Sequence, residues 1–412
     1  MTPDNVVSWV SAQTGATLTA DPGVAMLALR RNPRRAHLIV SSLLGKHVPV
    51  PAEVPLSAAA ALGALVRGAL DHTPYVLGFA ETATALGHGV ARVCSAGGGQ
   101  APYAHTTRRP VPEGAHVLRF EEEHSHAVEQ VLAIRDDTAL RDPGRALVLV
   151  DDELSSGRTA VNAVRVLQQR WPRETYVLAS LLDVRTSGQR AANVAEVAEL
   201  GAQLLSVALS QGSVQLSTDL AARAARLVAD AAEPAVPGRA PVPVVGWELS
   251  MTAPLTGAYG WQAADENALR AAVGLLAARL DLPGTVLVLG DEEFLYAGQL
   301  LAQALGPHVR TSSTTRSPAL VVDEPGYPLR TVLSFGATDD GDRAAFAYNV
   351  LPSAAANRGP APGFDHVVLL LDRPLPPHVE TGLLWQLAGA AGASVQVVVV
   401  RPGTEAAVRR TA

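Results

Sequence analysis

Cysteine, lysine and aromatic residues are scarce in this 412-residue chain, and each shortage restricts what the protein can be. A single cysteine, Cys94, excludes an internal disulfide and a cluster of thiolates around a metal. Aromatic residues make up 4% of the chain and the net charge is −6, so no nucleic-acid partner is predicted. Lys46 is the one lysine among 33 basic residues. It is either a chance survivor in an arginine-biased sequence or a position that needs a compact ammonium.

Long apolar segments are also missing. No run of about 18 uncharged apolar residues occurs, so neither a membrane span nor a membrane partner is predicted. Residues 1–17 lack the basic segment and apolar core of a signal peptide. Together with the single cysteine, these features lead us to expect a cytoplasmic protein. The hydrophobic share of 48% is enough for two folded domains, each with its own core.

The order of apolar segments indicates an α/β fold. Strand-like and helix-like segments alternate through the first half, as is typical of a parallel sheet flanked by helices. The predicted strands there cover residues 74–80, 116–120, 146–151, 176–184 and 203–209, and the predicted helices cover 84–93, 159–171 and 191–200. Residues 231–243 contain four prolines and predict a linker between a first domain (1–230) and a second α/β domain (244–412). In the second domain we predict helices over 266–280 and 295–305, strands over 285–290, 367–372 and 395–400, and a loop over 352–363.

One segment of the first domain combines several features that bind a phosphorylated sugar. Residues 148–159, VLVDDELSSGRT, join a buried strand, two carboxylates, a turn of small residues and the start of a helix. The strand places the turn at the carboxyl edge of the sheet, where open α/β sheets bind ligands. Backbone N–H groups of the turn can hold a phosphate at the helix N-terminus, and Asp151 and Asp152 can accept hydrogen bonds from two vicinal hydroxyls. This pattern predicts a site for a 5-phosphorylated ribose.

The same segment resembles the signature of type I phosphoribosyltransferases, which bind phosphoribosyl pyrophosphate (PRPP). The resemblance implies that family's fold, a parallel sheet flanked by helices, with the ribose hydroxyls held by Asp151 and Asp152. The residues that would hold the 5-phosphate are Ser155, Ser156, Gly157, Arg158 and Thr159. Mg²⁺ is the expected cofactor, bound mainly through oxygens of PRPP and water, and no protein metal cage is predicted.

The segment GFAETAT, residues 78–84, is a candidate loop for the pyrophosphate. It follows the first predicted strand and has the small residues that let backbone N–H groups face a ligand. It resembles the pyrophosphate loop of the family at Ala80, Glu81 and Thr82. The alternative is an ordinary turn between a strand and a helix.

Two basic segments are further candidates for the pyrophosphate end. Residues 103–110, which follow a glycine run, are predicted to form a flexible loop that brings Arg108 and Arg109 onto the pyrophosphate. The alternative is a solvated basic loop. Lys46 lies in a Gly-Lys segment that resembles the N-terminal segment of orotate-type enzymes, which approaches the pyrophosphate end of PRPP.

Acidic and histidine side chains cluster after the second predicted strand, at Glu123, His124 and His126. These groups could serve as acid or base, or contact the acceptor. They could equally begin a polar helix, and the sequence leaves both interpretations open.

Several motifs together resemble one branch of the family, the phosphoribosyltransferases encoded beside bacterial tellurium-resistance and stress-response genes. Besides the PRPP loop, the matching motifs are residues 32–35 (NPRR), 44–47 (LGKH), 106–108 (TTR) and 123–126 (EHSH). In that branch a C-terminal domain is named for the tetrapeptide Thr-Arg-Ser-Pro, which here is residues 315–318. The resemblance implies a fold and a donor substrate, but it identifies no acceptor.

The second domain repeats the order of features of the first. Its motif, which corresponds to Glu81 and the Thr-Thr-Arg segment of the first domain, comprises Glu293, Thr314, Thr315, Arg316 and Ser317. A buried strand ending at Asp372 follows, and residues 373–377 (RPLPP) replace the cradle. Because proline lacks the N–H that a phosphate cradle needs, we predict a degenerate copy without a donor site. Chance agreement between two α/β domains is the alternative.

These features predict transfer of ribose 5-phosphate from PRPP to a nitrogen nucleophile, a base or related metabolite, with release of pyrophosphate. Asp151 and Asp152 would hold the ribose, while Lys46 and Arg108 would steady the leaving group. Pyrophosphorolysis of a nucleotide and non-catalytic sensing of PRPP or a nucleotide are the alternatives. The acceptor stays open, as does the oligomeric state, for which a homodimer is one option.

Overall fold

The structure, a computed structural model, describes residues 8–32, 35–94, 100–121, 129–231, 241–339, 343–353 and 363–411. Within these residues the α-helices are α1 (Trp9–Thr14), α2 (Glu53–Ala69), α3 (Thr84–Val93), α4 (Arg158–Arg170), α5 (Ser187–Glu199), α6 (Leu220–Asp230), α7 (Ala263–Ala277), α8 (Leu295–Leu305) and α9 (Pro377–Ala390). None of the helices so described is long and apolar enough to cross a membrane.

The strands fall into two series, one in each half of the chain. Those of the first half, before residue 232, are β1 (Thr17–Thr19), β2 (Met26–Leu29), β3 (His37–Val40), β4 (Val50–Pro51), β5 (Tyr75–Gly78), β6 (Tyr103–His105), β7 (His116–Glu121), β8 (Glu129–Ile134), β9 (Leu147–Leu154), β10 (Thr175–Asp183), β11 (Gln203–Gln211) and β12 (Ser213–Gln215). Those of the second half, after residue 240, are β13 (Val244–Met251), β14 (Val286–Gly290), β15 (Val309–Ser313), β16 (Val332–Gly336), β17 (Ala344–Tyr348), β18 (His366–Leu371), β19 (Ser394–Pro402) and β20 (Ala407–Thr411).

The first half forms a five-stranded parallel sheet in the order β11-β10-β9-β5-β6, which confirms the predicted fold class. The apolar start of β9 lies at the centre of this sheet and is fully buried, as its continuous hydrophobic sequence indicates. Helix α4 follows β9 directly and packs its apolar face on the sheet. The carboxyl end of β9 therefore has a fixed position.

The edge of the first sheet differs from the prediction. Residues 116–120 do form a strand, β7, but it lies in the antiparallel hairpin β7–β8 and not in the parallel sheet, because alternate side chains of β7 are exposed and cannot lie inside a covered sheet. The edge strand is instead β6, in a segment predicted to be a loop. Sequence reasoning missed β6 because the strand has only three residues. These residues are covered by distant parts of the chain, such as Trp261, which a local pattern does not reveal.

The second half repeats this arrangement. Its sheet has the order β20-β13-β19-β18-β14-β15-β4, and the run β19-β18-β14-β15 is parallel like β10-β9-β5-β6. The hairpin β16–β17 corresponds to β7–β8. The outer strands differ, because β13 precedes β14 in the chain whereas β11 follows β10. The shared strand order agrees with the predicted repeat.

Among the described residues, one hydrophobic cluster contains buried residues of both halves, and two further clusters lie within a single half each. Strand β4 of the first half pairs antiparallel with β15, so it forms an edge of the second sheet. Helix α3 meets helix α8, where the ring of His88 stacks on that of Tyr296 with centroids 4.4 Å apart. Because buried residues of both halves pack together, neither half completes its core alone. Residues 232–240 of the predicted linker, and 354–362 of the predicted loop, lie outside the described residues.

Candidate functional site

A tight turn connects the central strand of the first sheet to helix α4. Gly157, the last residue of this turn, has a left-handed backbone with φ of 79°. A Cβ atom there would lie 2.2 Å from Oδ1 of Asn193, so both the conformation and the space require glycine. The first helical hydrogen bond runs from Val161 N to Gly157 O. The backbone amides that precede this bond are those with which a helix N-terminus binds anions.

Three carboxyl groups follow one another at the carboxyl end of β9: Asp151, Asp152 and Glu153. The backbone N–H of Asp152 donates to Oδ1 of Asp151 over 2.9 Å. Burial, and next the charge of Asp152, raise the pKa of Asp151 well above its ordinary value. Burial also raises the pKa of Asp152, against a lowering by its hydrogen bond to Asp151 and the charge of Lys46. A ligand that brings positive charge or hydroxyl donors would stabilise the ionised pair.

Lys46 and Glu81 form a buried ion pair beside these acids. The Nζ atom of Lys46 lies 2.6 Å from Oε1 of Glu81 and donates to the hydroxyl of Thr82 over 3.2 Å. Burial alone would raise the pKa of Glu81, but the charges of Lys46 and Arg108 oppose it and lower that pKa to about 2. The Gly-Lys segment and the predicted pyrophosphate loop are therefore in direct contact. The position holds a compact ammonium between two acceptors, which favours a functional reason for the single lysine.

The second half holds this lysine segment in place. The carbonyl oxygen of Lys46 accepts hydrogen bonds from the hydroxyl of Ser312 (2.6 Å) and the backbone N–H of Ser313 (3.2 Å). The hydroxyl of Thr315 donates to Oε1 of Glu81 over 2.7 Å. The Thr-Arg-Ser-Pro motif of the second half thus contacts the pyrophosphate loop of the first.

A corresponding contact runs from the first half to the glutamate of the second. The hydroxyl of Thr107, from the first half, donates to Oε2 of Glu293 over 2.7 Å, and the backbone N–H of Arg108 donates to Oε1 over 2.8 Å. Each half therefore supplies a threonine hydroxyl to the other half's glutamate. This exchange joins the corresponding loops of the two repeats.

The predicted flexible loop at 103–110 is wrong for residues 103–109. Tyr103 begins strand β6, and Thr106, Thr107 and Arg109 are buried. Arg109 forms ion pairs with Asp372 and with Glu293 of the second half. Such contacts hold the segment in place, because moving it would leave buried charges unpaired.

Arg109 also distinguishes the two repeats. Its guanidinium lies beside Glu293 and Asp372 of the second half. These two acids correspond to Glu81 and Asp152 of the first half, because the strands before them pair in the same register. The residue of the second half that aligns with Arg109 is the shorter Ser317, which lines an open cavity at the first-half site. The chain after Asp372 runs through prolines into α9, whose N-cap is Pro376. The second repeat therefore has prolines where the first has its turn of small residues, and Arg109 fills the place beside Asp372.

The first-half site opens into a cavity of about 890 Å³. Its walls come from both halves and bring together the cradle, the acids and the ion pair. Those predicted residues that line it are Lys46, Ala80, Glu81, Thr82, Arg108, Asp151, Asp152, Ser155, Thr159, Thr315, Arg316 and Ser317. A cavity of this size lies within the range of small-molecule sites.

Comparison with known families identifies the chain. A family model described as phosphoribosyl transferase matches residues 24–213, and one described as the TRSP domain C-terminal to it matches residues 255–387. Residues 24–213 therefore form a phosphoribosyltransferase domain, and a TRSP domain follows it. The predicted phosphoribosyltransferase domain and its C-terminal TRSP domain are thereby confirmed, and phosphoribosyl transfer is the class of reaction. The association with tellurium-resistance genes stays a prediction. No curated protein matches this phosphoribosyltransferase.

Solved adenine phosphoribosyltransferases are similar to part of this phosphoribosyltransferase. The enzyme from Rhodothermus marinus is 17% identical, with 46% of this chain and 94% of that chain covered and a TM-score of 0.30. The Saccharomyces cerevisiae enzyme is 12% identical, with 44% and 93% covered and a TM-score of 0.29. The Trypanosoma brucei enzyme is 14% identical, and the match spans 38% of this chain and 64% of that one with a TM-score of 0.28.

Some predicted residues of this phosphoribosyltransferase lie away from the cavity walls. Ser156, Gly157 and Arg158 shape the turn, and Glu293 lies in the opposite repeat. Thr314 is buried and donates to Asp291 over 2.9 Å. The predicted residues Glu123, His124 and His126 lie outside the described residues.

Arg316 has a role within its own half. Its guanidinium pairs with Glu292 (2.7 Å) and Asp339 (2.8 Å), and its Nε atom lies 3.9 Å from Glu81. Sequence reasoning missed several residues that line the cavity of the phosphoribosyltransferase, namely Arg30, Arg35, Gln130, Glu153 and Arg343. Two of these carried a signal: Glu153 directly follows the two acids of the PRPP motif, and Arg35 ends the motif at residues 32–35.

Proposed function

We propose that the protein transfers ribose 5-phosphate from PRPP to a nitrogen nucleophile on a base or related metabolite, releasing pyrophosphate. One observation carries this proposal. A single cavity is lined by residues of the phosphate cradle, by Asp151 and Asp152, and by Lys46 and Arg108. These are the three groups needed to hold the phosphate, the vicinal hydroxyls and the pyrophosphate of one PRPP molecule.

Each group has a task in the reaction. The two aspartates accept hydrogen bonds from the ribose hydroxyls and stabilise the positive charge that develops on the ring as pyrophosphate leaves. Lys46 pairs with Glu81 at the cavity wall, and Arg108 lies 3.9 Å from Glu81, so both cations are fixed before the ligand arrives. Fixed charges need no reorganisation during the reaction, which is why they stabilise a transition state effectively. The same groups would serve pyrophosphorolysis, because it is the reverse reaction.

Mg²⁺ fits this site as a partner of PRPP. The described part of the chain contains no cluster of three His, Cys, Asp or Glu side chains arranged to hold a metal alone. A magnesium ion would therefore take most of its ligands from the phosphate oxygens and water, as it prefers. When bound, the ion would offset the negative charge of the pyrophosphate.

Sensing of PRPP or a nucleotide without catalysis is the second candidate. The observation that favours it is the buried strand β6 with the fixed Arg109, which leaves residues 103–109 unable to close over a ligand as a loop. Binding of PRPP without pyrophosphate release from any acceptor would support sensing over transfer.

Replacing both aspartates tests the proposal. In Asp151→Asn/Asp152→Asn we expect calorimetry to show PRPP affinity in Mg²⁺ at least about tenfold weaker, because the diol loses two charged acceptors. A matched control is Asp230→Asn/Asp281→Asn, in which both aspartates are exposed. Unchanged PRPP affinity in the first variant would refute the assignment of the donor site.

A further inference from the structure

Two groups of opposite charge line the cavity without pairing with each other or with other side chains. Glu153 follows the acids of β9, and its Oε2 atom is buried with no hydrogen-bond partner. Arg35 lines the same cavity just before strand β3, and among the described residues its guanidinium forms no ion pair or hydrogen bond. Buried polar groups in proteins are nearly always paired. The buried Glu153 oxygen therefore indicates a place for a ligand, and the partly exposed guanidinium of Arg35 lies at the same cavity, where that ligand can reach it.

The surroundings of Glu153 define the chemistry that it offers. The charges that act on it are those of Asp152 on its own strand and of Arg30 and Arg35, which line the same cavity. Burial and the charge of Asp152 raise the pKa of Glu153 to about 8, with the two arginines opposing this rise. A carboxyl group with a pKa raised in this way can accept a hydrogen bond from an N–H when ionised, or donate one to a ring nitrogen when protonated.

Apolar side chains complete this part of the cavity. Leu38 and Ile39 of strand β3 and Pro318 of the second half line the wall. Arg30 is held by hydrogen bonds to the hydroxyl of Ser317 (2.9 Å) and to the carbonyl oxygen of His37 (3.3 Å). The wall thus offers apolar contact to a ring, with Arg35 available for an anion.

We propose that Glu153 and Arg35 form the acceptor subsite, and that the acceptor is a planar nitrogen heterocycle carrying an acidic oxygen substituent such as a carboxylate. This inference rests on the proposed transfer reaction. Glu153 lines the same cavity as the two diol acids that precede it, so we place the ring nitrogen that it holds beside the ribose. Arg35 pairs with the acidic oxygens, for which a planar guanidinium is suited. Leu38 and Ile39 contact the ring.

Pairs of heterocycles that differ in acidity test the subsite. Orotate with uracil, and nicotinate with nicotinamide, are offered to the full-length protein with PRPP and Mg²⁺, and pyrophosphate release is measured. We expect the acidic member of at least one pair to be used about tenfold more efficiently than its neutral partner. Arg35→Gln should abolish that preference. Glu153→Gln should raise the KM for the heterocycle about tenfold while the Kd for PRPP changes less than about twofold.

Arg31→Gln is the matched control, since Arg31 lies in the same segment but does not line the cavity. It should keep the preference for the acidic member. Equal or better use of neutral heterocycles, including adenine, would overturn the subsite. An unchanged preference in Arg35→Gln would overturn it too, as would failure of every acidic heterocycle in a protein that binds PRPP. Failure of the wild-type protein to bind PRPP would instead refute the proposed function.

Discussion

The hydroxyl of Thr315 provides a direct test of whether the second half supports the site in the first. This hydroxyl donates to Oε1 of Glu81 over 2.7 Å, and the same oxygen lies 2.6 Å from Nζ of Lys46. Thr315→Val removes the donor and keeps the shape of the side chain. A hydrogen bond to a charged group contributes about 1.5–3 kcal/mol, so urea unfolding should show a loss of that size.

The same substitution should weaken PRPP binding. Without Thr315, Glu81 loses one of the groups that fix it, and Lys46 then has a less defined position at the pyrophosphate end. A cost of about 1 kcal/mol in binding corresponds to a Kd raised about fivefold, which calorimetry would detect. Thr315→Ser keeps the hydroxyl and should restore most of the affinity.

A matched control separates support of the site from general stability. The hydroxyl of Thr338 donates to Oδ2 of Asp291 over 2.6 Å, and neither residue lines the cavity. Thr338→Val should therefore destabilise the fold by a similar amount and leave the Kd for PRPP unchanged. Equal weakening of PRPP binding by both substitutions, or by neither, would refute a specific role for Thr315.

Three further predictions concern the cradle and the ion pair. Gly157→Ala should cost at least about 1 kcal/mol in stability and reduce PRPP affinity in calorimetry. The reason is that the backbone at Gly157 is left-handed and an added Cβ would lie 2.2 Å from the Asn193 amide oxygen. Wild-type affinity would contradict this. Lys46→Arg should destabilise the fold by about 1–3 kcal/mol in urea unfolding, because a larger group must fit beside Glu81. Wild-type stability and turnover would instead support chance survival of the lysine. The pKa of Glu81 is lowered from 4.5 to about 2, so its contribution to stability is complete above about pH 4.5 and is lost as the pH falls towards 2. Between pH 5 and pH 3 this loss should reach about 2 kcal/mol in the wild-type protein, and an equally steep loss in Glu81→Gln would contradict it.

The sequence by itself determined the elements whose signals are local. Helix α8 covers the predicted residues 295–305, because its boundaries follow from apolar spacing and a glycine after its last residue. The turn before α4 was predictable because a buried strand, small residues and Gly157 occur together within 12 residues. The order of motifs in the two halves also predicted the repeated strand order, since matching motifs occupy matching positions along each half.

The tertiary structure alone decided which of the polar residues meet. Thr315 and Glu81 are 234 positions apart in the chain, and Thr107 and Glu293 are 186 apart, so no local pattern relates them. Arg109 was predicted to lie in a flexible loop because its segment follows a glycine run, yet its partners Asp372 and Glu293 come from the other half. Periodicity and turn chemistry describe the surroundings of a residue along its own segment. The charge partners of a buried residue depend on how distant elements pack, and a sequence pattern carries no direct signal of that packing.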